Sequence, residues 1–358
     1  MPDLTNSDNN KQSRKTDGLA VSLIIPCYNI PEEHITRALT SAKMQSIADY
    51  EIILVDDGSN EGYGEVLTRL CGSEKNTTLI RTGNRGASAA RNTGALAARG
   101  EYVAFLDADD LLAADFLERA WAAVVETHAD FVIGGLTLID QPDQFHVSSR
   151  VNPLPYCLYA GNAVRELYPH LIGQRFRIRF PDGHIGRGPV SRLIRTELMR
   201  KCLFDETLRI GEDVVWNLQL LSLCSTVCVV HESWYGYWRN PDSVTRRYSS
   251  AFVEECRKGL AKIPPLIDYS DDQAYSSYTD RIYELMRRCW VLYLRKARIG
   301  DRKAYRRAIK SLYTQAPWTE LGSFRYMTTG GRYRKDMLLF RLHLYFAVVA
   351  RRERRAGK

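Results

Sequence analysis

Three carboxylates, Asp107, Asp109 and Asp110, stand directly after the apolar run Tyr102-Val103-Ala104-Phe105-Leu106. The run reads as a buried strand. Carboxylates at the end of a core strand are costly to hold unless something cationic meets them. Crowded acids also repel one another, and a divalent ion relieves both problems. Oxygen donors of this kind suit Mg²⁺ or Mn²⁺, ions often shared with a substrate diphosphate. The alternative is a helix start in which Asp109 or Asp110 caps the segment from Leu111 to His128. A second acidic turn, Asp56-Asp57-Gly58-Ser59, follows the apolar run Tyr50 to Val55, and a third acidic pair, Glu212-Asp213, opens a helical pattern. Taken alone, the first of these reads as a turn and the second as acids complementing a helix dipole.

The elements that must position these groups alternate. Strands are expected at Leu19 to Pro26, Tyr50 to Val55, Thr77 to Arg81, Glu101 to Leu106 and Asp130 to Leu138. Helical spacing runs over Pro31 to Ser46, Tyr63 to Cys71, Gly86 to Arg99 and Asp115 to His128. Such alternation implies βαβ units and a mostly parallel, Rossmann-like sheet flanked by helices. Ligands bind such sheets at the carboxyl ends of the strands. Pro26, Asp56 to Ser59 and Asp107 to Asp110 all fall there. The pattern loosens over Gln141 to Asp182. It resumes with a helix over Val190 to Cys202, another from Gly211 to Cys224, and a strand at Thr226 to His231. Beyond Arg247 the chain reads as all-helical and basic, with segments Phe252 to Leu266, Tyr275 to Lys296, Lys303 to Thr314 and Arg334 to Arg352. The expected organisation is therefore a polar, disordered tail over 1–18 and an α/β unit over 19–247. A nucleotide-binding half, 19–140, and an acceptor half, 141–247, make up that unit, and a helical extension over 248–358 follows it.

Bulk properties narrow the classes. The 358 residues are 45% hydrophobic and 26% charged, a globular composition. The formal charge of +8 fits nucleic acid, an anionic membrane surface or phosphorylated substrates. Nucleic acid is not expected, because the aromatic residues build no stacking platform with the arginines. The eight cysteines are scattered without a CxxC pair, so reduced core thiols in a cytoplasmic protein are expected. No secretory signal is read in the polar N-terminus, and no apolar run reaches the roughly 20 residues of a membrane span. The basic, apolar-sided stretch Met337 to Ala350 is compatible with a peripheral helix on an anionic cytoplasmic leaflet. A packed terminal helix or a dimer contact is the alternative.

Taken in order, the motifs resemble those of family 2 glycosyltransferases with the GT-A fold. They are Val21-Ser22-Leu23-Ile24-Ile25-Pro26-Cys27-Tyr28-Asn29, Ile52 to Ser59, Asn84-Arg85-Gly86 with Ala90-Arg91-Asn92-Thr93-Gly94, Asp107-Ala108-Asp109-Asp110, Gly211-Glu212-Asp213, and Tyr235 to Arg239 with Ser243 to Arg246. The resemblance implies roles position by position. Pro26, Tyr28 and Asn29 would line the nucleotide pocket, and Asp57, beside Asp56, would bond the pyrimidine edge. Arg85 or Arg91 would approach the nucleotide. Asp109 would meet the ribose or the metal, Asp110 would be the main ligand of Mn²⁺ or Mg²⁺, and Asp107 would orient it. Asp213, supported by Glu212, would be the general base. His184, in the Gly-rich stretch Asp182 to Gly188, is a candidate acceptor residue, as are Trp238 and Arg246. Transfer of sugar from such a donor requires a neutralised diphosphate and a base for the acceptor hydroxyl. The implied reaction is inverting transfer from a nucleotide-diphosphate sugar, a UDP-sugar, to a glycan or lipid-linked acceptor in cell-surface polysaccharide synthesis. The QxxRW motif and membrane spans of processive family members are absent, so one sugar is expected per encounter. Two other readings stand beside it: a nucleotidyltransferase, and an inactive nucleotide-sugar-binding scaffold.

Overall fold

The computed structural model describes residues 18–72, 76–142, 145, 150, 152–173, 177–239, 251–328 and 333–355. The first half alternates: β1 (Val21–Cys27), α1 (Glu32–Lys43), β2 (Tyr50–Asp56), α2 (Glu61–Cys71), β3 (Thr77–Arg81), α3 (Ala87–Ala97), β4 (Tyr102–Phe105), β5 (Leu111–Leu112), α4 (Phe116–Thr127) and β6 (Phe131–Ile139). Then follow β7 (Tyr156–Ala160), α5 (Tyr168–Ile172), β8 (Arg179–Phe180), β9 (Gly183–Ile185), β10 (Arg192–Arg195), α6 (Thr196–Lys201), α7 (Glu212–Leu223) and β11 (Thr226–Trp238). The helical extension comprises α8 (Phe252–Ala261), α9 (Asp272–Cys289), α10 (Arg295–Gly300), α11 (Arg302–Thr314), α12 (Phe324–Thr328), α13 (Arg334–Arg341) and α14 (Tyr345–Arg355).

The sheet runs β3-β2-β1-β4-β10-β6-β11-β5, with β7 on β11 and the β8–β9 hairpin attached through β9 to β6. Pairings β2–β3, β1–β2, β1–β4 and β6–β11 are parallel, while β10 is antiparallel to both neighbours. The α/β class with a central sheet flanked by helices is the observed fold, but the sheet is mixed where a mostly parallel one was expected: parallel pairing is continuous only over β3-β2-β1-β4, and β5, β7 and β9 also join antiparallel. The chain reverses direction across the sheet at β1, whose neighbours are β2 and β4. That is where a crevice opens in doubly wound sheets.

Alternation along the central strands feeds two cores. Leu23, Ile25, Ile52 and Leu54 pack toward α1 and α4. Ile24, Ile53, Val55 and Phe105 pack on the other face with Trp216 of α7 and with Tyr278, Met286, Trp318 and Phe340 of the extension. The extension thus shares its core with the sheet. α9 starts cleanly because the Asp271 carboxylate accepts from the Gln273 and Ala274 amides.

Two expected elements differ. Val190 to Cys202 was expected as one helix, yet Arg192–Arg195 is strand β10 and only Thr196–Lys201 is helical. Leu193 and Ile194 face opposite cores, and the buried Arg192 survives there by donating to the Gly186 and Gly188 carbonyls at 2.8 and 2.7 Å. The helix expected over Arg334 to Arg352 breaks at Leu342 to Leu344, where His343 takes a left-handed φ of 57°. The break lets Phe340 and Phe346, on different sides of an unbroken helix, both pack on Tyr313, while His343 stacks on the same ring at 4.3 Å. Met337, Phe340, Tyr345, Phe346 and Ala350 of this stretch are buried in the shared core, while Leu338, Leu342 and Leu344 stay exposed. No helix among the described residues is long and apolar enough to cross a membrane.

Candidate active site

A cleft of about 630 Å³ opens at the carboxyl ends of β1, β2 and β4. Pro26, Tyr28, Asn29, Asp57, Arg91, Asp107, Asp109, Asp110 and Trp238 all line it. These nine are among the site residues expected from the sequence, Asp107 as an orienting one, and they converge in one place.

The loops that carry them are clamped to one another. The Asn29 amide donates to the Ser59 hydroxyl at 2.9 Å, and the Asn60 amide donates to the Asn29 side-chain oxygen at 2.8 Å. Gly58, at φ 74°, fits between them because a Cβ there would stand 2.6 Å from the Asn84 nitrogen. The buried Asp57 carboxylate accepts from the Arg85 and Gly86 amides at 2.9 and 2.7 Å, which draws the loop after β3 to the cleft wall. Asp56 takes the Ser59 amide at 2.9 Å instead and braces its own turn. Arg85 turns away from the cleft and pairs with Glu206. Arg91 is the arginine that lines it.

Arg91 is almost wholly buried and donates to Asp107 at 2.6 Å. Burial acts to lower its pKa, but Asp107, and beyond it Glu212, hold it above its ordinary value. One guanidinium therefore stands between the acidic loop after β4 and the first turn of α7. Gly211, left-handed at φ 85°, turns the chain into that helix. The Asp213 carboxylate there accepts from the Val214 amide at 2.8 Å, an acid placed where the helix dipole favours its charge. Its neighbour is pushed up to about 7, first by burial and then by the charge of Asp213.

The three acids after β4 are not equivalent. Asp110 is buried, and each of its oxygens is taken: Tyr235 donates its hydroxyl at 2.7 Å and Trp238 its amide at 2.9 Å. Burial, then Asp107 and Asp109, push it well above the usual carboxylate range. Asp107 and Asp109 are partly exposed on the cleft. Asp110, expected as the main metal ligand, is thus the acid most committed to holding its own loop, and Asp109 is the more open one. No preformed cluster of three His, Cys, Asp or Glu side chains exists among the described residues. One or two carboxylates that share an ion with a diphosphate and water nevertheless fit the habits of Mg²⁺ and Mn²⁺.

Trp238, a candidate acceptor residue, stands at the cleft wall edge-on to His34 at 4.8 Å and under the Arg37 guanidinium at 5.2 Å. Other candidates separate. His184 lies on β9, opposite Leu136 of β6 and Arg179 of β8, away from the cleft lining. Arg246 falls outside the described residues. Sequence reasoning missed Tyr235, whose hydroxyl also accepts from the Asp107 amide at 3.1 Å. Its signal was the apolar strand pattern continuing beyond His231 to Trp238.

Comparison with known proteins decides the family. The profile described as "Glycosyl transferase family 2" matches residues 22–197. Uncharacterized glycosyltransferase EpsJ of Bacillus subtilis is 32% identical over 244 residues, 66% of this chain and 67% of that protein. The chain belongs to glycosyltransferase family 2. Glycosyltransferase GlyA of Streptococcus pneumoniae is 27% identical over 237 residues, and the match spans only 32% of its length. Among solved structures, TarS 1–349 of S. aureus in complex with UDP-GlcNAc resembles this family 2 glycosyltransferase at a TM-score of 0.61 and 19% identity. That likeness covers 95% of this chain and 93% of TarS 1–349, and it establishes the fold, GT-A with a helical C-terminal region. The nucleotidyltransferase reading is set aside.

Proposed function

We propose that this glycosyltransferase takes its sugar from a UDP-sugar and passes it, with inversion, to a hydroxyl of a glycan or lipid-linked acceptor. The observation that carries the reading is the convergence of Pro26, Tyr28, Asp57, Arg91 and Asp109 on one cleft, with Asp213 tied to it through Glu212 and Arg91. The UDP-GlcNAc complex of the structural neighbour supports the donor class. Tyr28, half exposed at the mouth, offers a face for the base. Asp109, with Asp107 beside it, would hold Mn²⁺ or Mg²⁺, which would neutralise charge on the leaving diphosphate. Asp110 keeps the loop in place by holding the end of β11. Asp213 takes the proton of the acceptor hydroxyl as that oxygen attacks the anomeric carbon. The bond from that carbon to the diphosphate oxygen breaks, UDP leaves, and the configuration at the carbon inverts. No covalent intermediate is needed.

The test is UDP release from a panel of UDP-sugars with Mn²⁺, Mg²⁺ or EDTA, with binding of each donor measured in parallel. Metal-dependent release from one donor is expected, reduced at least about 100-fold in Asp109→Ala. Absence of both release and metal-dependent donor binding in the unaltered protein would sink the reading and favour the scaffold alternative.

A further inference from the structure

A second group of charges lies at α7 and is not explained by donor binding. Arg187, on the loop after β9, donates both terminal nitrogens to Glu284 of α9 at 2.7 and 3.0 Å. Arg281, one turn earlier on α9 and buried, shares the same carboxylate at 3.2 Å. Burial opposes ionisation of Glu284, yet these two arginines hold it well below the usual carboxylate range. Arg177 joins the group with no ion-pair partner among the described residues, and its Nε is buried without a hydrogen bond. Burial and then Arg187, Arg179 and Arg281 act to lower its pKa against Glu284, to about 10. Arg179 is exposed on β8. His184, opposite Arg179 in the hairpin register, feels Arg177, Arg179 and Arg187; burial first and these charges next lower it to about 4, so it stands neutral at ordinary pH.

The cluster is fastened to the proposed base. Asn217 of α7 donates to the Arg187 carbonyl and to the Asp213 carbonyl, each at 2.7 Å. Asp213 in turn contributes to the electrostatics of both Arg187 and Arg281. Four guanidinium groups from three separate segments thus crowd together against two carboxylates, Glu284 and Asp213, and both of these act on Arg187 and Arg281. Like charges held together at part-buried positions need an anion with several acceptor oxygens. A carboxylate offers two oxygens; a phosphate offers more, in a shape that guanidinium forks match.

We propose that Arg177 and Arg179, backed by Arg187 and Arg281, bind a phosphate group of the acceptor. The assignment to the acceptor rests on the reading of Asp213 as the base; the anion site itself does not. In this site Glu284 keeps Arg187 and Arg281 in place, and neutral His184 can donate a hydrogen bond without adding charge. The helical extension then completes the acceptor half, because α9 supplies two of its residues. A phosphate on the acceptor could belong to a polyol-phosphate diester or to a lipid diphosphate, and the group recognised is the same.

The experiment is a calorimetric titration of inorganic phosphate into the full chain saturated with UDP, which fills the donor cleft. Millimolar binding is expected, weakened about tenfold or more in Arg177→Gln and in Arg179→Gln, with UDP affinity unchanged as the control for folding. No binding to the UDP-saturated protein, or equal binding by both variants, would overturn the site. Competition for bound phosphate by a polyol-phosphate oligomer or by a short-chain lipid diphosphate then identifies the source; competition by neither overturns the assignment to the acceptor. None of these readings requires turnover, so failure here is distinguishable from failure of the transfer assay.

Discussion

The donor cleft and the arginine cluster are built on opposite plans. Most groups in the cleft stand at the end of a strand or on the loop that follows it, with Arg91 added from α3, and backbone amides do much of the work: Arg85 and Gly86 to Asp57, Trp238 to Asp110. The cluster draws on β8, a loop, β9 and a helix far along the chain, and its bonds run side chain to side chain. In the first, charges are neutralised in place, as Asp107 is by Arg91. In the second, positive charge is left over. Neutralised sites hold their shape before a ligand arrives; sites with surplus charge announce the charge of what they bind.

The comparison breaks most sharply at Asp213, whose charge acts on Glu212 on the cleft side and on Arg187 and Arg281 in the cluster. In Asp213→Asn, turnover should fall by about 10²–10⁴-fold while UDP affinity stays within about twofold, read by steady-state kinetics beside titration of UDP. Equal losses in both would move Asp213 out of its role as base. Next in size is Gly94→Ala, which loads the donor side alone. A Cβ there would stand 2.4 Å from Ile24 Cγ2 on the central strand, and α3 also carries Arg91. Overpacking of this kind costs about 1–3 kcal/mol, so a lower melting temperature and a higher KM for the donor are expected together. The smallest effect tests the hinge between regions. Glu212 ionises ordinarily near 4.5 and in the fold at about 7. Its carboxyl is harder to ionise folded than unfolded, so the fold loses stability as pH rises through that window. Glu212→Gln should therefore melt about 2–4 °C above the parent at pH 8, with the gap closing below pH 4.5. A gap that persisted at low pH would show that charge was not its cause.

The cleft could be read from residue order because its strands are apolar runs that stop abruptly at polar turns, as Leu54-Val55 does before Asp56-Asp57. Six short motifs carried the fold, the family and the convergence of nine side chains. Four features escaped for physical reasons. Arg192 disguised β10, since its burial is made tolerable only by carbonyls of a neighbouring loop. The break at His343 is set by the ring of Tyr313, about thirty positions away and invisible to local periodicity. The arginine cluster depends on α9 meeting the loop after β9, a contact that only tertiary packing creates. Its trace was present nonetheless: Arg281 and Glu284 interrupt the side of α9 that also carries Tyr278 and Leu285. Division of labour among Asp107, Asp109 and Asp110 was equally hidden, because it turns on Tyr235 and Trp238 of β11, well over a hundred positions along the chain.

That arrival links residues far apart in the chain in time as well as in space. β5, which follows Asp110, pairs antiparallel with β11, and the Trp238 amide hydrogen on Asp110 carries that pairing one step further. Whatever stiffens the loop from Asp107 to Asp110 also delays the exchange of that hydrogen for deuterium. Exchange at a single amide at the end of β11 should thus time the cleft, slowing when it fills and quickening when it empties.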